Sequence, residues 1–334
     1  MGGGGTVTRA AILGLGVYIP PKVLTNDDLA KIVDTSDEWI VARTGIRRRH
    51  VAAPDQATSD LALLASEQAL AQSGIAPAEL DLILVGSASP DMFFPATACL
   101  LQDRLGAPQA GAFDLLAACS SFVYGLISAS QMIEAGMIRH VLVVGAETLT
   151  RLVDWKDRST CVLIGDGAGA VVLGPSVSGA GIRSGAVGAD GSAGEVLKLP
   201  AGGSRIPVTA EVIERNLHRA HMDGQAVFKL AVRAIPGLIR DTVTKAGWTL
   251  ADVDRFVPHQ ANIRIIEAIA HQLRVPMEKF VVNIEEYGNT SAASVPLALW
   301  DAIQTGQVHD GDRLILAAFG GGFTYAACAL TWGR

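Results

Sequence analysis

The sequence predicts an α/β fold built from two similar βαβαβ-type halves, with sheets sandwiching buried helices. Three observations carry that prediction. Short β-branched runs alternate with longer small-residue stretches at helical spacing. Segments of the first half recur in the second at nearly constant offsets. The composition, 49% hydrophobic and 18% charged with 36 glycines in 334 residues, supplies a large core and many close backbone approaches.

Taken in order, LDLILVG (80–86) reads as a strand. LLAACSSFVYGLISASQMI (115–133) reads as a turn opening a buried helix, because Phe122, Val123, Leu126 and Ile127 recur at helical spacing. HVLVVGAE (140–147) is the next strand. The stretch 174–207, rich in Gly, Ser and Ala, reads as a loop-bearing connection able to cover a site. In the second half VDRFVPH (253–259) stands 173 residues after 80–86 (253 against 80). YGNTSAASVPLALWDAI (287–303) mirrors the turn and helix, with Asn289 set opposite Cys119 at an offset of 170 (289 against 119). RLILAAFG (313–320) again stands 173 residues after 140–147 (313 against 140). Any α/β chain repeats strand, helix and strand; the constant spacing is what argues for a duplicated unit. The expected division is a first half, 1–174, a connecting segment, 175–223, and a second half, 224–334.

Charge and composition exclude several functions. A net charge of −6 argues against a general nucleic-acid binder. The most apolar runs are far shorter than the ~20 residues a bilayer requires. MGGGGTVTR has no apolar core and reads as a flexible start rather than a signal peptide, and Gly2 with Thr6 is a weak acylation signal without a second membrane anchor. Cys99, Cys119, Cys161 and Cys328 lie far apart with no C-x-x-C, so neither a disulfide framework nor a structural zinc site is expected. The reading is a reduced, cytoplasmic chain.

The chemistry centres on Cys119, in AACSSF, placed at a strand-to-helix turn. Amide groups and the dipole at a helix N-terminus stabilise a thiolate, and the same amides suit the oxyanion of a tetrahedral intermediate. The plain alternative is a buried structural thiol, the reading kept for Cys99, Cys161 and Cys328. His259 ends the strand RFVP, where ligands gather in α/β sheets, and Asn289 lies in the mirrored turn. Singly, they read as a satisfied histidine and a helix-cap residue. Together, Cys119 attacks a carbonyl while His259 and Asn289 donate hydrogen bonds to one that becomes an enolate.

Other motifs fail their context. GDGAGA (165–170) fits G-x-G-x-x-A, but a strand follows directly and leaves no helix N-terminus for a pyrophosphate. GLGVYI (14–19) lacks the third small residue, and His218 with His221 lacks a third metal ligand. No G-x-S-x-G elbow occurs. RTGIRRRH (43–50) is either a solvated face or, with Trp39 before it and Arg158 in WKDRST, a dock for a phosphorylated, adenine-bearing ligand.

The runs VDTSDEWIVARTGIRRRH, FDLLAACSSFVYGL, DRSTCVLIGDGAGAVVL, VPHQANIRII, YGNTSAASVPLAL and AFGGGFTYA together resemble the β-ketoacyl-acyl carrier protein synthase III family of the thiolase superfamily, from about residue 10 to 332. The resemblance implies a thiolase-like duplicated fold, Cys119 as acyl acceptor, and His259 and Asn289 as the decarboxylation pair. It implies oxyanion donors at the backbone amides of Cys119 and Gly321. Trp39 and Arg158 would sandwich the coenzyme A adenine, with Thr35 and Arg43 alongside, and Gly224 and Asn262 would line the pantetheine tunnel. Lys229 with Gln260, Ala261, Asn262, Ile263 and Arg264 would meet the acidic carrier protein. Phe94 would reach across a homodimer interface into the partner's acyl pocket, near Ile164 and Phe319.

The family's elongating relatives use Cys-His-His, and thiolases add a second cysteine; here the second-half position is Asn289. Two residues depart from the family pattern. Ile164 stands where an aromatic is frequent, which predicts room for branched or medium-chain primers, and Ser121 replaces a residue commonly glycine or small. The expected reaction is decarboxylative condensation of an acyl-coenzyme A primer with malonyl-acyl carrier protein, needing no metal or redox cofactor. The alternatives are a secondary-metabolism acyltransferase or ketosynthase of the same fold, and a silent carrier-protein-binding module.

Overall fold

The computed structural model describes residues 9–333; the expectations for Gly2, Thr6 and the rest of 1–8 lie outside them. Two sheets carry the fold. In chain order their strands are β1 (Ala10–Tyr18), β2 (Leu82–Gly86), β3 (Gly111–Leu115), β4 (Val141–Glu147), β5 (Gly167–Pro175), β6 (Gly181–Ala189), β7 (Arg255–Pro258), β8 (Arg313–Gly320) and β9 (Thr324–Thr331). The first sheet runs β1-β5-β4-β2-β3 and the second β6-β9-β8-β7. Their senses repeat as well. In the first, β4, β2 and β3 are parallel while β5 and β1 add antiparallel. In the second, β7 and β8 are parallel while β9 and β6 add antiparallel. A trace of the missing edge strand survives as a parallel bridge between Phe256 and Phe280.

The helices Ser121–Glu134 and Ser294–Gln304 lie between the sheets, their Phe122, Val123 and Leu126 sharing one buried cluster with Val295, Ala298 and Leu299. Helices Thr58–Ser73 and Thr97–Leu105 cover the outer face of the first sheet. Helices Gly224–Lys245 and Ile263–Leu273 cover that of the second. Each sheet thus buries both faces, which is why its strands read as continuous apolar runs rather than alternating ones.

The internal repeat is exact where it bears on chemistry, and it corrects one expectation. The turns Ala118–Ser120 and Ser291–Ala293, the helix starts Ser121 and Ser294, and the strand ends Glu147 and Gly320 are all 173 apart (291 against 118, 294 against 121, 320 against 147). Cys119 therefore faces Ala292 in the repeat, and Asn289 faces Leu116; the 170-residue pairing of Cys119 with Asn289 does not hold. Left-handed backbone at Ala118 (φ 46) and Ser291 (φ 49) sets the register of the two turns. Alanine and serine do not advertise that conformation in a sequence.

The stretch 174–207 is less loop-like than expected, because β6 lies within it and pairs with β9. Glycines hid the strand. An ideal Cβ on Gly185 would lie 2.7 Å from Ile127 Cγ1, and one on Gly188 only 2.3 Å from Tyr325 Cε2, so side-chain alternation is suppressed by packing. GDGAGA enters β5, as its context implied. Among the described residues no helix is long and apolar enough to cross a membrane.

Candidate active site

A cleft of about 1220 Å³ is lined by Cys119, His259 and Asn289 together. Three separate segments deliver them: the turn before helix Ser121–Glu134, the end of β7, and the short bridge of Asn289 to Ile164 that precedes the mirrored turn.

Cys119 is held by its neighbours. Ala117 N–H donates to Ser121 Oγ (2.8 Å) and Thr324 Oγ1 donates to Ala117 O (2.8 Å). Ser121, the departure noted in the sequence, thereby ties the turn to the helix. The end of β8 runs so close that a Cβ on Gly320 would lie 2.5 Å from Cys119 N. The Cys119 backbone N–H at the start of the helix lowers the thiol pKa in the direction expected, but burial outweighs it. Burial pushes the thiol up to about 12; a hydrogen bond from Ser291 opposes the rise and the Glu147 carboxylate adds to it. Cys119 rests as a thiol.

His259 is anchored at both ends. Its N–H donates to Ala317 O (2.7 Å), its Nδ1 lies 2.6 Å from Ser294 Oγ, and its ring meets Phe319 edge-on at 5.3 Å. Burial depresses its pKa to about 3, so the imidazole is neutral. Asn289 is fixed by a two-way backbone bridge: its N–H donates to Leu163 O (2.8 Å) and its carbonyl accepts from Gly165 N (3.0 Å). Its Oδ1 accepts Ser291 N–H (2.9 Å), which turns the Nδ2 amine away from the turn.

At the mouth, Arg43 and Arg158 lie 4.5 and 4.7 Å from the Trp39 ring centre, and Gly224 and Asn262 line the same cleft. The arginine run divides by role. Arg43 lines the cleft, Arg48 pairs with Glu286, and Arg49 is wholly buried, donating to Leu24 O, Asn26 Oδ1 and Val162 O. Lys229 and Arg264 are exposed and reach the cleft edge, while Ala261 is a buried part of its wall.

Other sequence expectations fall outside the cleft. Gln260 cannot meet a carrier protein: it is buried, its Nε2 donates to Pro258 O and Val281 O, and its Oε1 accepts Asn283 N–H. Ile263 is half-buried beside Gly45. Thr35 is half-buried with an unpartnered Oγ1 and does not line the cleft. Phe319 lines it, whereas Ile164 packs in the cluster of Leu29, Ile40 and Val162, and Leu163 takes the lining position. Phe94 is 86% exposed and away from the cleft of its own chain. Gly321 lies beside the turn, an ideal Cβ there being 3.7 Å from Ala118 Cβ.

Sequence reasoning passed over Ser294, Ser291 and Glu147. The one available signal was the 173-residue repeat, which sets Ser294 opposite Ser121 and Glu147 opposite Gly320.

Comparison with known proteins gives a consistent result. Residues 113–191 match the family 3-oxoacyl-[acyl-carrier-protein (ACP)] synthase III, and residues 243–332 match its C-terminal region. The chain is 51% identical over 325 residues to beta-ketoacyl-[acyl-carrier-protein] synthase III of Caldanaerobacter subterraneus subsp. tengcongensis, covering 97% of this chain and 98% of that one. It superimposes on the crystal structure of 3-oxoacyl-[acyl-carrier-protein] synthase III from Aquifex aeolicus VF5 with a TM-score of 0.90 at 46% identity, covering 97% and 100% of the two chains. The priming beta-ketosynthase of the R1128 polyketide pathway gives a TM-score of 0.91 at 37% identity, covering 100% and 99%.

Proposed function

The chain belongs to the beta-ketoacyl-[acyl-carrier-protein] synthase III family, and from that premise we propose how its own residues carry out the reaction. It is a condensing acyltransferase that initiates fatty-acid synthesis by joining an acyl-coenzyme A primer to malonyl-acyl carrier protein. The observation that carries the residue assignment is the single cleft in which Cys119, a neutral His259 and Asn289 converge.

In the first stage Cys119 attacks the primer thioester. The amides of Cys119 and Gly321 receive the oxyanion, and coenzyme A leaves as the tetrahedral intermediate collapses. In the second stage malonyl-acyl carrier protein loses carbon dioxide, and the negative charge moves onto its thioester oxygen. Ser294 Oγ accepts the Gln260 N–H (3.4 Å), which frees its own hydrogen for His259 Nδ1 and leaves the ring hydrogen on Nε2. His259 Nε2 and Asn289 Nδ2 then donate to the enolate. A histidine kept neutral by burial serves this role well, because it donates without surrendering its proton. The carbanion attacks acyl-Cys119 and the thiolate departs.

Trp39, Arg43 and Arg158 suit an adenine nucleotide at the mouth, with Thr35 nearby. Gly224 and Asn262 border the path of the pantetheine arm, and the exposed Lys229 and Arg264 suit an acidic carrier protein. This chemistry requires no metal or redox cofactor. The exposure of Phe94 supports a homodimer in which it closes the partner's acyl pocket, and four unpaired cysteines support a cytoplasmic setting. The polyketide-type reading has the lower identity, 37% against 51%.

Intact-protein mass spectrometry after mixing with acetyl-coenzyme A should show one acyl group on Cys119, absent in Cys119→Ala. His259→Ala and Asn289→Ala should still acylate but lose malonyl decarboxylation by on the order of 10²–10³. Acylation that survives Cys119→Ala would remove the assigned nucleophile.

A further inference from the structure

We propose that Ser291 is a further catalytic residue: its hydroxyl donates a hydrogen bond to the Cys119 sulphur and stabilises the negative charge that gathers there. It acts twice, when the thiol becomes a nucleophile and when the sulphur departs. The proposal rests on the reading of Cys119 as acyl acceptor and deepens it.

The internal repeat creates the arrangement. The turn Ser291–Ala293 is the second-half copy of the turn that carries Cys119, and the two pack together where the halves join. At the offset of 173, Ser291 stands opposite Ala118 and Ala292 opposite Cys119 (291 against 118, 292 against 119). At each of these two positions, one turn carries the reactive side chain and the other an alanine. Ser291 Oγ lies 3.1 Å from Cys119 Sγ and donates to it, across 172 residues of sequence. Among the described residues no other side chain donates to that sulphur.

Backbone conformation aims the hydroxyl. Ser291 is left-handed (φ 49) and only 1% exposed. Its N–H donates to Asn289 Oδ1 (2.9 Å), so one residue holds the Asn289 amide with its backbone and reaches the sulphur with its side chain. A non-glycine residue in that conformation is strained, and such strain persists only where the surroundings hold it. Glycine would relieve the strain and lose the donor.

A hydroxyl bonds weakly to a neutral thiol and far more strongly to a thiolate. Interactions that strengthen toward the transition state are the ones that accelerate a step. The surroundings of Cys119 give this donor its importance. Burial pushes the thiol up to about 12 and the Glu147 carboxylate adds to the rise, while the Ser291 hydrogen bond opposes it. His259 is held neutral and supplies no positive charge. Cys119 thus lacks the imidazolium neighbour that activates many reactive thiols.

On acylation the S–H bond breaks and its proton passes to solvent in the cleft. The sulphur pair, under the Ser291 hydrogen bond, forms the bond to the thioester carbon. The coenzyme A sulphur leaves with its bonding pair and takes a proton from solvent. In condensation the bond from Cys119 to the acyl carbon breaks and its pair returns to the sulphur, where Ser291 again donates. The thiolate then takes a proton from solvent. Ser291 keeps its own hydrogen throughout.

The test is single-turnover acylation by acetyl-coenzyme A, followed by quenched mass spectrometry from pH 6 to 9, on the wild type, Ser291→Ala and Ser291→Gly. The reverse transfer, from acetyl-Cys119 to added coenzyme A, is read in the same way. Both variants should lose about tenfold in each direction. That is the lower end of what a hydrogen bond to a charged group supplies, because the thiolate that remains is more nucleophilic. The loss should be the same at every pH, since the thiol stays protonated across the range. Among the described residues, the titratable groups around Cys119 are His259 on β7, Glu147 at the end of β4, and the exposed Arg43, Arg158, Asp223, Lys229 and Arg264 of the cleft. All are common to the three proteins. Calorimetry should find coenzyme A binding nearly unchanged. In Cys119→Ala, where no sulphur remains, adding Ser291→Ala should leave malonyl decarboxylation as it was.

Wild-type rates in Ser291→Ala would overturn the proposal while leaving Cys119 as acyl acceptor. A loss in Ser291→Ala that Ser291→Gly restores would overturn it as well, since relief of the backbone would then be the cause. A loss that vanishes toward pH 9 would mean that hydroxide replaces a base, which a pure donor is not. An equal loss of decarboxylation in the Cys119→Ala background would assign the hydroxyl to Asn289 rather than to the sulphur. If Ser291→Ala fails to fold, Ser291→Gly decides alone, because it carries no left-handed strain. Absence of acyl-Cys119 in the wild type would instead fail the functional reading itself.

Discussion

Burial sets the charge state of the ionisable side chains deepest in the cleft, and at His259 this has a measurable consequence. Its folded-state pKa is about 3, against 6.5 for the free side chain. Between those values the unfolded chain binds a proton that the folded chain refuses, so unfolding gains ground as pH falls. One such group contributes a slope of about 1.4 kcal/mol per pH unit, present below about pH 6.5 and absent above it. His259→Gln removes the slope. Urea unfolding at pH 7, 6 and 5 should show the stability difference between wild type and variant shrinking toward low pH. A difference constant with pH would mean that His259 is not held neutral by burial. Cys119, His259 and Asn289 were all legible as residues, since each pairs a chemically distinctive side chain with a turn or strand end. Their partners Ser291 and Ser294 were not, because serines in a small-residue turn look like ordinary packing.

The elements around the site are positioned by close backbone contact, so glycines mark where they meet. Gly320→Ala would place a methyl 2.5 Å from Cys119 N and push the nucleophile turn aside. Misplacement by about 1 Å costs on the order of 10²-fold in rate, so acylation should fall by that order while coenzyme A affinity changes little. Gly237 provides the contrast. It lies within helix Gly224–Lys245 with nothing within 4 Å of an ideal Cβ. Gly237→Ala should raise unfolding free energy by roughly 0.5–1 kcal/mol and leave turnover unchanged. Equal activity in both variants would show that the contact between β8 and the turn does not position the sulphur. The same tight packing explains why β6 was read as connection: a strand whose glycines receive other side chains loses its period-two pattern.

On the scale of the whole molecule, one edge of the first sheet is left uncovered. β3 ends the sheet order, and around it Phe93, Phe94 and Leu116 are 79%, 86% and 80% exposed. Unpaired strand edges and contiguous apolar surface favour association with another chain. If the proposed homodimer forms through this face, Leu116→Asp should shift sedimentation equilibrium from dimer toward monomer at micromolar concentration. The monomer should also lose acyl-chain selectivity if the partner's Phe94 closes the pocket. An undisturbed dimer in Leu116→Asp would place the interface on another face.

Fold class, duplication and the three side chains that converge in the cleft could be read from the sequence because each leaves a local mark: apolar strand runs, a constant spacing, a reactive residue at a turn. What only the tertiary structure decided is which residues meet across the two halves. It set the repeat at 173 rather than 170 at the nucleophile, turned Gln260 inward, moved Ile164 off the cleft, and put Ser291 against the Cys119 sulphur. The physical reason is common to all four. Burial and contact depend on where two backbones distant in sequence come together, and left-handed turns at Ala118 and Ser291 set that meeting point without a residue type that announces it.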